Sequence, residues 1–271
     1  MEDQPGQDAQ AETEERLRRG SSFGVAAAAY AEHRPDYAEA AVRWALEPVW
    51  SRQPLRVIDL GAGTGKLTAT LVRLGVDVTA VEPDPNMLAE LRRELASVRS
   101  VPGQAEEIPL PDASVDAVLA GQAMHWFDLD RALPEIARVL TPGGVLAGLW
   151  NVDDDRVEWV AKFAEMTKRK ATLTLLRWRD GAARSRQDEL IATGSGLFSA
   201  AQTGEFEHGQ AKTAESLLAT IATHSNFLAL AEPERSTKLA RVADFLHAQP
   251  ETARGEFVLP MLTVVLRALR E

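Results

Sequence analysis

The sequence contains no cysteine, which excludes disulfide bonds, thiolate zinc sites and cysteine nucleophiles together. It also has no apolar run long enough to cross a bilayer. Its first ten residues are acidic and polar, whereas a secretion signal would need an apolar core. A chain without cysteine is compatible with a reducing compartment, so we expect a cytoplasmic protein that does not insert into a membrane.

Positive charge is also scarce. The chain carries 30 Lys and Arg against 40 Asp and Glu, for a formal net charge of −10. This charge would repel a nucleic-acid backbone unless the basic residues were concentrated in a patch, and no sufficiently long basic run exists. Nucleic acid is therefore a poor candidate partner. The sequence gives no indication of the oligomeric state.

Apolar and charged residues are present in ordinary globular proportions, 45% and 26% of 271 residues. This length fits one large domain, or one domain with a smaller cap. Residues 1–20 are rich in Glu, Gln and Asp and have little to bury, so they predict a disordered tail. We expect a ligand-binding core with N-terminal lid helices over 21–151, and a helical cap with the last strands over 152–271.

Strands and helices alternate along the middle of the chain. Short apolar runs predict strands over 55–60, 76–81, 98–103, 115–120 and 145–150. Helical patterns separate them over 66–74, 85–97 and 129–140, and Thr141–Gly144 reads as a tight turn. Apolar strands linked by right-handed helical crossovers predict a Rossmann-like, doubly wound α/β fold with a mostly parallel sheet.

The alternation stops after residue 151. The pattern predicts helices over 156–179 and most of 213–247, a strand over 198–207 and an antiparallel closing strand over 256–269. Pro260 favours an edge position for the closing strand. Asp153, Asp154 and Asp155 are consecutive, and side chains of an extended chain alternate in direction, which makes a poor chelate. We expect a solvated loop there and no metal site.

A glycine-rich loop, Asp59–Gly65, lies between the first predicted strand and its helix. Glycines allow a sharp turn and let a ligand touch the main chain, and the helix behind them directs its N–H groups at that ligand. Glu82 ends the second strand roughly 20 residues later, where a carboxylate can accept both hydroxyls of a ribose. The sequence therefore predicts an adenosine-binding site.

Two residues distinguish between adenosine cofactors. The dinucleotide fingerprint requires a third glycine where this chain has Lys66. The carboxylate of Asp59 suits a cationic amino-acid group and would repel a pyrophosphate. Both features favour S-adenosylmethionine over NAD or FAD.

On these residues the chain resembles the class I methyltransferases over about residues 55–151. The successive landmarks are Val57–Gly65, Val81–Pro83, Gly103–Glu106 and Leu140–Gly144. The segments 23–37 and 121–127 are similar to one small-molecule branch, the trans-aconitate methyltransferase-like proteins.

The resemblance implies a set of cofactor contacts. The methionine end would contact the glycine loop, the ribose Glu82, the adenine the residues after the second and third strands, and the sulfonium the residue after the fourth strand. The residues implied are Tyr30, Arg34, Asp59, Gly61, Ala62, Gly63, Glu82, Pro83, Met87, Gln104, Ala105, Glu106 and Gln122. Many relatives have Asp where this chain has Gln104, whose amide can still bond the adenine amino group.

His125 follows the fourth strand, at the edge where such sheets bind ligands, and is the candidate general base. Its alternative role is a local hydrogen bond that shapes the pocket. His33, Trp126 and Trp150 are candidates for the acceptor pocket, and we place Trp150 at the end of the fifth strand. We expect methyl transfer from S-adenosylmethionine to a small molecule, on oxygen, with S-adenosylhomocysteine as product. N-methylation, an NAD-dependent oxidoreductase and a non-catalytic cofactor-binding protein remain alternatives.

Overall fold

The computed structural model describes residues 35–167, 196–222, 225–228 and 230–271. Its helices are α1 (Glu39–Leu46), α2 (Lys66–Arg73), α3 (Pro85–Glu94), α4 (Leu129–Val139), α5 (Glu158–Thr167), α6 (Ala214–Ala222), α7 (Ser225–Leu228) and α8 (Glu234–Ala248). Its strands are β1 (Arg56–Leu60), β2 (Asp77–Glu82), β3 (Arg99–Pro102), β4 (Val115–Gly121), β5 (Leu140–Asp153), β6 (Gln202–Lys212) and β7 (Phe257–Leu269). The predicted tail, the first part of the expected lid helices and the candidate residues Tyr30, His33 and Arg34 lie outside the described residues.

The seven strands form one sheet in the order β3-β2-β1-β4-β5-β7-β6. Strands β1 to β5 are parallel, and β7 is antiparallel to both β5 and β6. The predicted Rossmann-like fold with an antiparallel closing strand is therefore confirmed. The strand order reverses direction between β1 and β4, and ligands of such sheets bind at the carboxyl ends of the strands beside that point.

Apolar side chains bury both faces of the parallel strands, as the runs of Val, Ile and Leu predict. Ile58 and Ile136 belong to the cluster that packs α4 against one face. Leu46 and Leu71 belong to the cluster that packs α1 and α2 against the other. A third cluster packs α5, α6 and α8 against the first half of β7, around Phe163. The C-terminal helices thus have their own core beside that of the Rossmann-like layer.

The prediction that Pro260 marks an edge strand is wrong, since β7 lies between β5 and β6 and the edge strand is β6. The Pro260 carbonyl accepts a hydrogen bond from the Asp154 N–H at 3.1 Å. The last paired residues of β5 and β7 are Asp153 and Met261. The N–H that proline lacks therefore falls at the end of this ladder, where its loss is tolerated.

Strand β5 is longer than predicted at both ends. The expected tight turn Thr141–Gly144 is instead a bulge within the strand, because Val115 pairs with Leu140 and Ala117 with Val145. At the other end, pairing with β7 continues to Asp153, so Trp150 lies inside the strand and does not end it.

The prediction of a solvated loop at Asp153–Asp155 is also wrong. Asp153 and Asp154 are buried. The guanidinium of Arg156 donates to both oxygens of Asp154, at 2.7 and 2.6 Å. This fork-like pair neutralises the second carboxylate, which allows it to be buried.

At the start of β4, the buried carboxylate of Asp116 ties the bulge in β5 to β1. Asp116 accepts hydrogen bonds from Arg52 at 3.1 Å, from the Arg56 backbone at 3.0 Å and from Thr141 at 3.3 Å. Burial works against ionisation, but the hydrogen bonds from Arg56 and Arg52 hold the pKa of Asp116 below its usual range.

Asp116→Ala is expected to lower the free energy of unfolding by about 2 kcal/mol, because it leaves partly buried donors without an acceptor. Asp112→Ala is the matched control, since the Asp112 carboxylate is 79% exposed in its pair with Arg138. The control should change stability by less than about 0.5 kcal/mol. Urea denaturation of both variants tests this, and equal losses would contradict it.

Candidate active site

The candidate site begins at Asp59, the penultimate residue of β1, which is completely buried. The Thr68 hydroxyl of α2 donates to Asp59 Oδ2 at 2.6 Å. Among the described residues, Asp59 Oδ1 has no hydrogen-bond partner. Burial raises the pKa of Asp59 to about 7. The Thr68 hydrogen bond opposes this rise, and the charge of Glu82 adds to it. A buried acceptor without a donor costs free energy, and a ligand carrying a donor would relieve that cost.

The glycine loop after β1 adopts backbone conformations that other residues avoid. Gly61 and Gly63 have φ of +71° and +57°. A Cβ on Gly61 would lie 2.6 Å from the Ala123 Cβ, whereas one on Gly63 would meet nothing within 4 Å. The Gly61 and Ala62 N–H groups donate to the Val81 carbonyl and fix the loop on β2. Gly61 therefore serves close packing, and Gly63 borders open space that a ligand could fill.

Glu82 ends β2 with its carboxylate tied to the same loop. Its Oε2 accepts the Gly63 N–H at 2.8 Å, and its Oε1 accepts the Asp84 N–H at 2.9 Å. Burial raises the pKa of Glu82, and these two backbone hydrogen bonds oppose the rise. Each oxygen keeps a second lone pair that can accept a hydroxyl. The carboxylate predicted to bind the ribose is thus held rigidly beside the loop predicted to bind the methionine end.

The residues predicted to surround the adenine follow β2 and β3. Pro83 and Gln104 are exposed, whereas Met87 and Ala105 are buried. Glu106 Oε1 accepts the Asp128 N–H at 2.7 Å, just before α4 begins. Glu106 therefore also has a contact within the protein, one that its predicted role did not include.

At the carboxyl end of β4, Gln122 has a φ of +55°, which is uncommon for a residue other than glycine. Its Nε2 donates to the Asn151 carbonyl at 2.9 Å, and its N–H donates to the Leu149 carbonyl at 2.8 Å. A Cβ on Gly121 would lie 2.5 Å from the Tyr37 hydroxyl. Hydrogen bonds to β5 thus fix the end of β4, and Tyr37 covers it.

His125 lies on the short 3-10 helix Met124–Trp126 that follows β4 and is exposed. Its ring contacts the half-buried ring of Trp126, with the centroids 4.8 Å apart. The Trp150 ring covers Gly148 on β5, where a Cβ would lie 2.4 Å from a ring carbon and 3.2 Å from Met124 Cε. His125 and Trp126 therefore lie on one short helix next to the glycine loop, and Trp150 lies beside that helix on β5.

Sequence analysis missed a buried polar network above this edge. Asn151 donates to the Asp36 carbonyl at 3.0 Å and accepts from the Thr263 hydroxyl at 2.7 Å. The Ala38 N–H donates to the Thr263 hydroxyl at 3.1 Å. The network holds the segment that precedes α1 against β5 and β7. Its sequence signal is that Asn151 and Thr263 each stand between apolar neighbours in β5 and β7.

No helix within the described ranges is long and apolar enough to cross a membrane. Over the same residues, no group of three or more His, Asp and Glu side chains is arranged to hold a metal ion.

Comparison with known proteins decides the family. Residues 58–148 match the model of a methyltransferase domain. Over 249 residues the chain is 42% identical to the uncharacterized methyltransferase Rv3342 of Mycobacterium tuberculosis, covering 91% of this chain and 95% of that protein. The chain belongs to the class I S-adenosylmethionine-dependent methyltransferases.

This methyltransferase also resembles proteins of known structure and proteins with a named activity. A type II methyltransferase from Anaeromyxobacter dehalogenans is 27% identical with a TM-score of 0.56, covering 88% of this chain and 96% of that one. The malonyl-[acyl-carrier protein] O-methyltransferase of Methylococcus capsulatus is 38% identical over 149 residues, about half of each chain. The narrower resemblance to the trans-aconitate methyltransferase-like branch stays a prediction.

The cofactor of the methyltransferase is S-adenosylmethionine, and the residues at the loop fit it. Among the described residues, neither Asp59 Oδ1 nor the buried Thr64 hydroxyl has a hydrogen-bond partner. Gly63 leaves the main chain open to a ligand, and Glu82 retains acceptor capacity for hydroxyls. S-adenosylmethionine fits these features, because its ammonium group would lie at Asp59, its methionine chain along Gly63 and its ribose at Glu82.

Gly63→Ala is expected to weaken S-adenosylhomocysteine binding at least tenfold, because the new methyl group projects into the open side of the loop. Gly75→Ala is the matched control, since Gly75 has a φ of +75° and equal free space but lies in the turn between α2 and β2. Both variants should lose about 1 kcal/mol of stability from the positive φ. Calorimetric titration measures the affinities, and equal affinity of the two variants would contradict the assignment of Gly63.

Proposed function

We propose that this methyltransferase acts on a small-molecule acceptor, on oxygen, and that the loop between β1 and α2 together with Glu82 holds the cofactor. The observation that carries the cofactor assignment is that, among the described residues, the buried Oδ1 of Asp59 has no hydrogen-bond partner, while Gly63 in the loop that follows borders open space. An acidic chain with a net charge of −10 also favours a small acceptor over a nucleic acid.

The bound cofactor supplies an electrophilic methyl group on a sulfonium. Asp59 would accept a hydrogen bond from the ammonium of its amino-acid end, and Glu82, which accepts the Gly63 N–H, would accept the ribose hydroxyls. Pro83 and Met87 would flank the adenine, with the segment Gln104–Glu106 at its edge. Gln122, whose side chain donates to the Asn151 carbonyl of β5, would lie near the sulfonium. These residues align donor and acceptor for an in-line displacement, which accounts for much of the catalysis in such a reaction.

Oxygen as the acceptor atom is supported by the similarity to the malonyl-[acyl-carrier protein] O-methyltransferases, which extends over about half of this chain. The side chains around the 3-10 helix agree with an acceptor that is partly apolar, because the Trp126 and Trp150 rings lie there. We assign the choice of acceptor to the helices after β5, which have their own apolar core.

The acceptor is found by supplying S-adenosylmethionine with an isotopically labelled methyl group to small-molecule extracts and following the label by mass spectrometry. A labelled product that mild alkali hydrolyses is a methyl ester, and an alkali-stable ether would equally support oxygen. A labelled amine would overturn the oxygen assignment. Binding without transfer to any acceptor would leave a cofactor-binding protein and overturn the proposed activity.

His125, whose imidazole is exposed after β4, is the proposed general base for an acceptor hydroxyl. His125→Gln is expected to lower kcat at least tenfold for a hydroxyl acceptor, since a base contributes about 10²–10⁴-fold to such proton transfers. S-adenosylhomocysteine affinity should stay unchanged. His247→Gln on α8 is the control. If the first acceptor is a carboxylate, which carries no proton to remove, an unchanged kcat is the expected result.

A further inference from the structure

The hydrogen bond between Thr68 and Asp59 has a consequence for the cofactor site proposed above, on which this inference rests. We infer that Thr68 is a positioning residue: its hydroxyl holds one oxygen of Asp59 so that the other is presented to the ammonium group of S-adenosylmethionine. Both side chains are completely buried. Their oxygens are 2.6 Å apart, the length of a hydrogen bond to a carboxylate.

Other buried threonines in the described helices bond differently. A helical threonine commonly donates to the carbonyl one turn before it. Thr167 does so to the Phe163 carbonyl at 2.8 Å, and Thr220 to the Ser216 carbonyl at 2.8 Å. Thr68 instead reaches from α2 to β1. Its hydroxyl is therefore committed to the carboxylate and contributes little to the helix itself.

The charges around Asp59 make this donor important. Burial is the main cause that disfavours the ionised form of Asp59, and the like charge of Glu82 on β2 adds to it. From α2, the Thr68 hydroxyl and, more weakly, the Thr68 backbone N–H favour ionisation. Within the described ranges, no cationic side chain forms an ion pair with Asp59. Removing the hydroxyl would leave the carboxyl protonated over a wider pH range and free to rotate.

Thr68→Val keeps the size and branching of the side chain and removes only the hydroxyl. We expect it to weaken S-adenosylhomocysteine binding about tenfold or more at pH 7.5, as for the loss of a hydrogen bond to a charged group. The ratio of wild-type to variant affinity should shrink as pH rises from 6.5 to 8.5, because deprotonation of Asp59 is then restored. Using the ratio cancels the titration of the ligand. Thr68→Ser, which restores the donor, should bind within about threefold of the wild type.

Thr70→Val is the matched control, since Thr70 is equally buried on α2 but donates to the Lys66 carbonyl at 3.4 Å. It should leave affinity and its pH dependence unchanged. If Thr68→Val does not fold, Thr68→Ala gives the same measurement with less bulk. Wild-type affinity of the folded variant at every pH would overturn the inference.

Asp59→Asn separates this inference from the proposed function. If Asp59→Asn binds as the wild type, Asp59 does not hold the ammonium, and both the assignment of Asp59 to the cofactor site and the inference are overturned. If Asp59→Asn loses binding while Thr68→Val keeps it, the assignment of Asp59 stands and only the role of Thr68 is overturned. Loss in both, with rescue by serine, supports the inference.

Discussion

Asp59→Asn is expected to weaken S-adenosylhomocysteine binding at least a hundredfold at pH 8. The side-chain amide keeps the size of the carboxyl group but cannot supply the negative charge that an ammonium requires. A hydrogen bond to a charged group contributes about 1.5–3 kcal/mol, and a hundredfold loss corresponds to about 2.7 kcal/mol. Calorimetric titration of both proteins measures the difference directly.

The control for this substitution is Asp77→Asn, which removes an aspartate carboxylate outside the glycine loop. Asp77 opens β2 and is exposed, so Asp77→Asn should bind the ligand as the wild type does. Near-equal affinity of Asp59→Asn and Asp77→Asn would remove Asp59 from the cofactor site. The Rossmann-like fold and the family would stand, because they rest on strand order and sequence similarity.

The sequence was sufficient for the features that depend on local pattern. Alternating strands and helices predicted the order from β1 to β5, and the strand-end Glu82 lies beside the glycine loop as the roughly 20-residue spacing indicated. Loop, acid and strand end are close in the chain, so their geometry follows largely from one β-α-β unit.

The errors concern one pairing between distant strands and the directions in which individual side chains point. The length of β5 depends on β7, which pairs with it as far as Asp153 from more than a hundred residues away. Burial of Asp154 depends on the direction of the Arg156 guanidinium, which no periodicity encodes. The hydrogen bond of Thr68 was not predicted for a similar reason, because its position on α2 predicts a buried residue but not a hydrogen bond across to β1.

The stability of the ligand-free protein is expected to fall between about pH 4 and pH 7 through Asp59. Its pKa is raised from 3.8 to about 7 by burial, so the folded state holds a proton that the unfolded state has already released. Stability from this group is therefore present below the lower pKa and lost as pH rises through the higher one. The full loss amounts to about 4 kcal/mol, of which roughly 3 kcal/mol falls between pH 5 and pH 8.

Comparison with Asp59→Asn isolates this contribution, because the asparagine side chain does not titrate. Burial also raises the pKa of Glu82 and lowers that of His208, but both groups are present in both proteins, so their own contributions cancel in the difference and only the interaction of Glu82 with Asp59 stays in it. Urea denaturation at pH 5 and pH 8 should show the variant gaining roughly 3 kcal/mol on the wild type. Parallel stability curves would mean that Asp59 ionises normally in the folded protein. The deprotonated carboxylate that destabilises the free protein is the form that binds an ammonium, so saturating S-adenosylhomocysteine should flatten the wild-type curve and leave the variant unchanged.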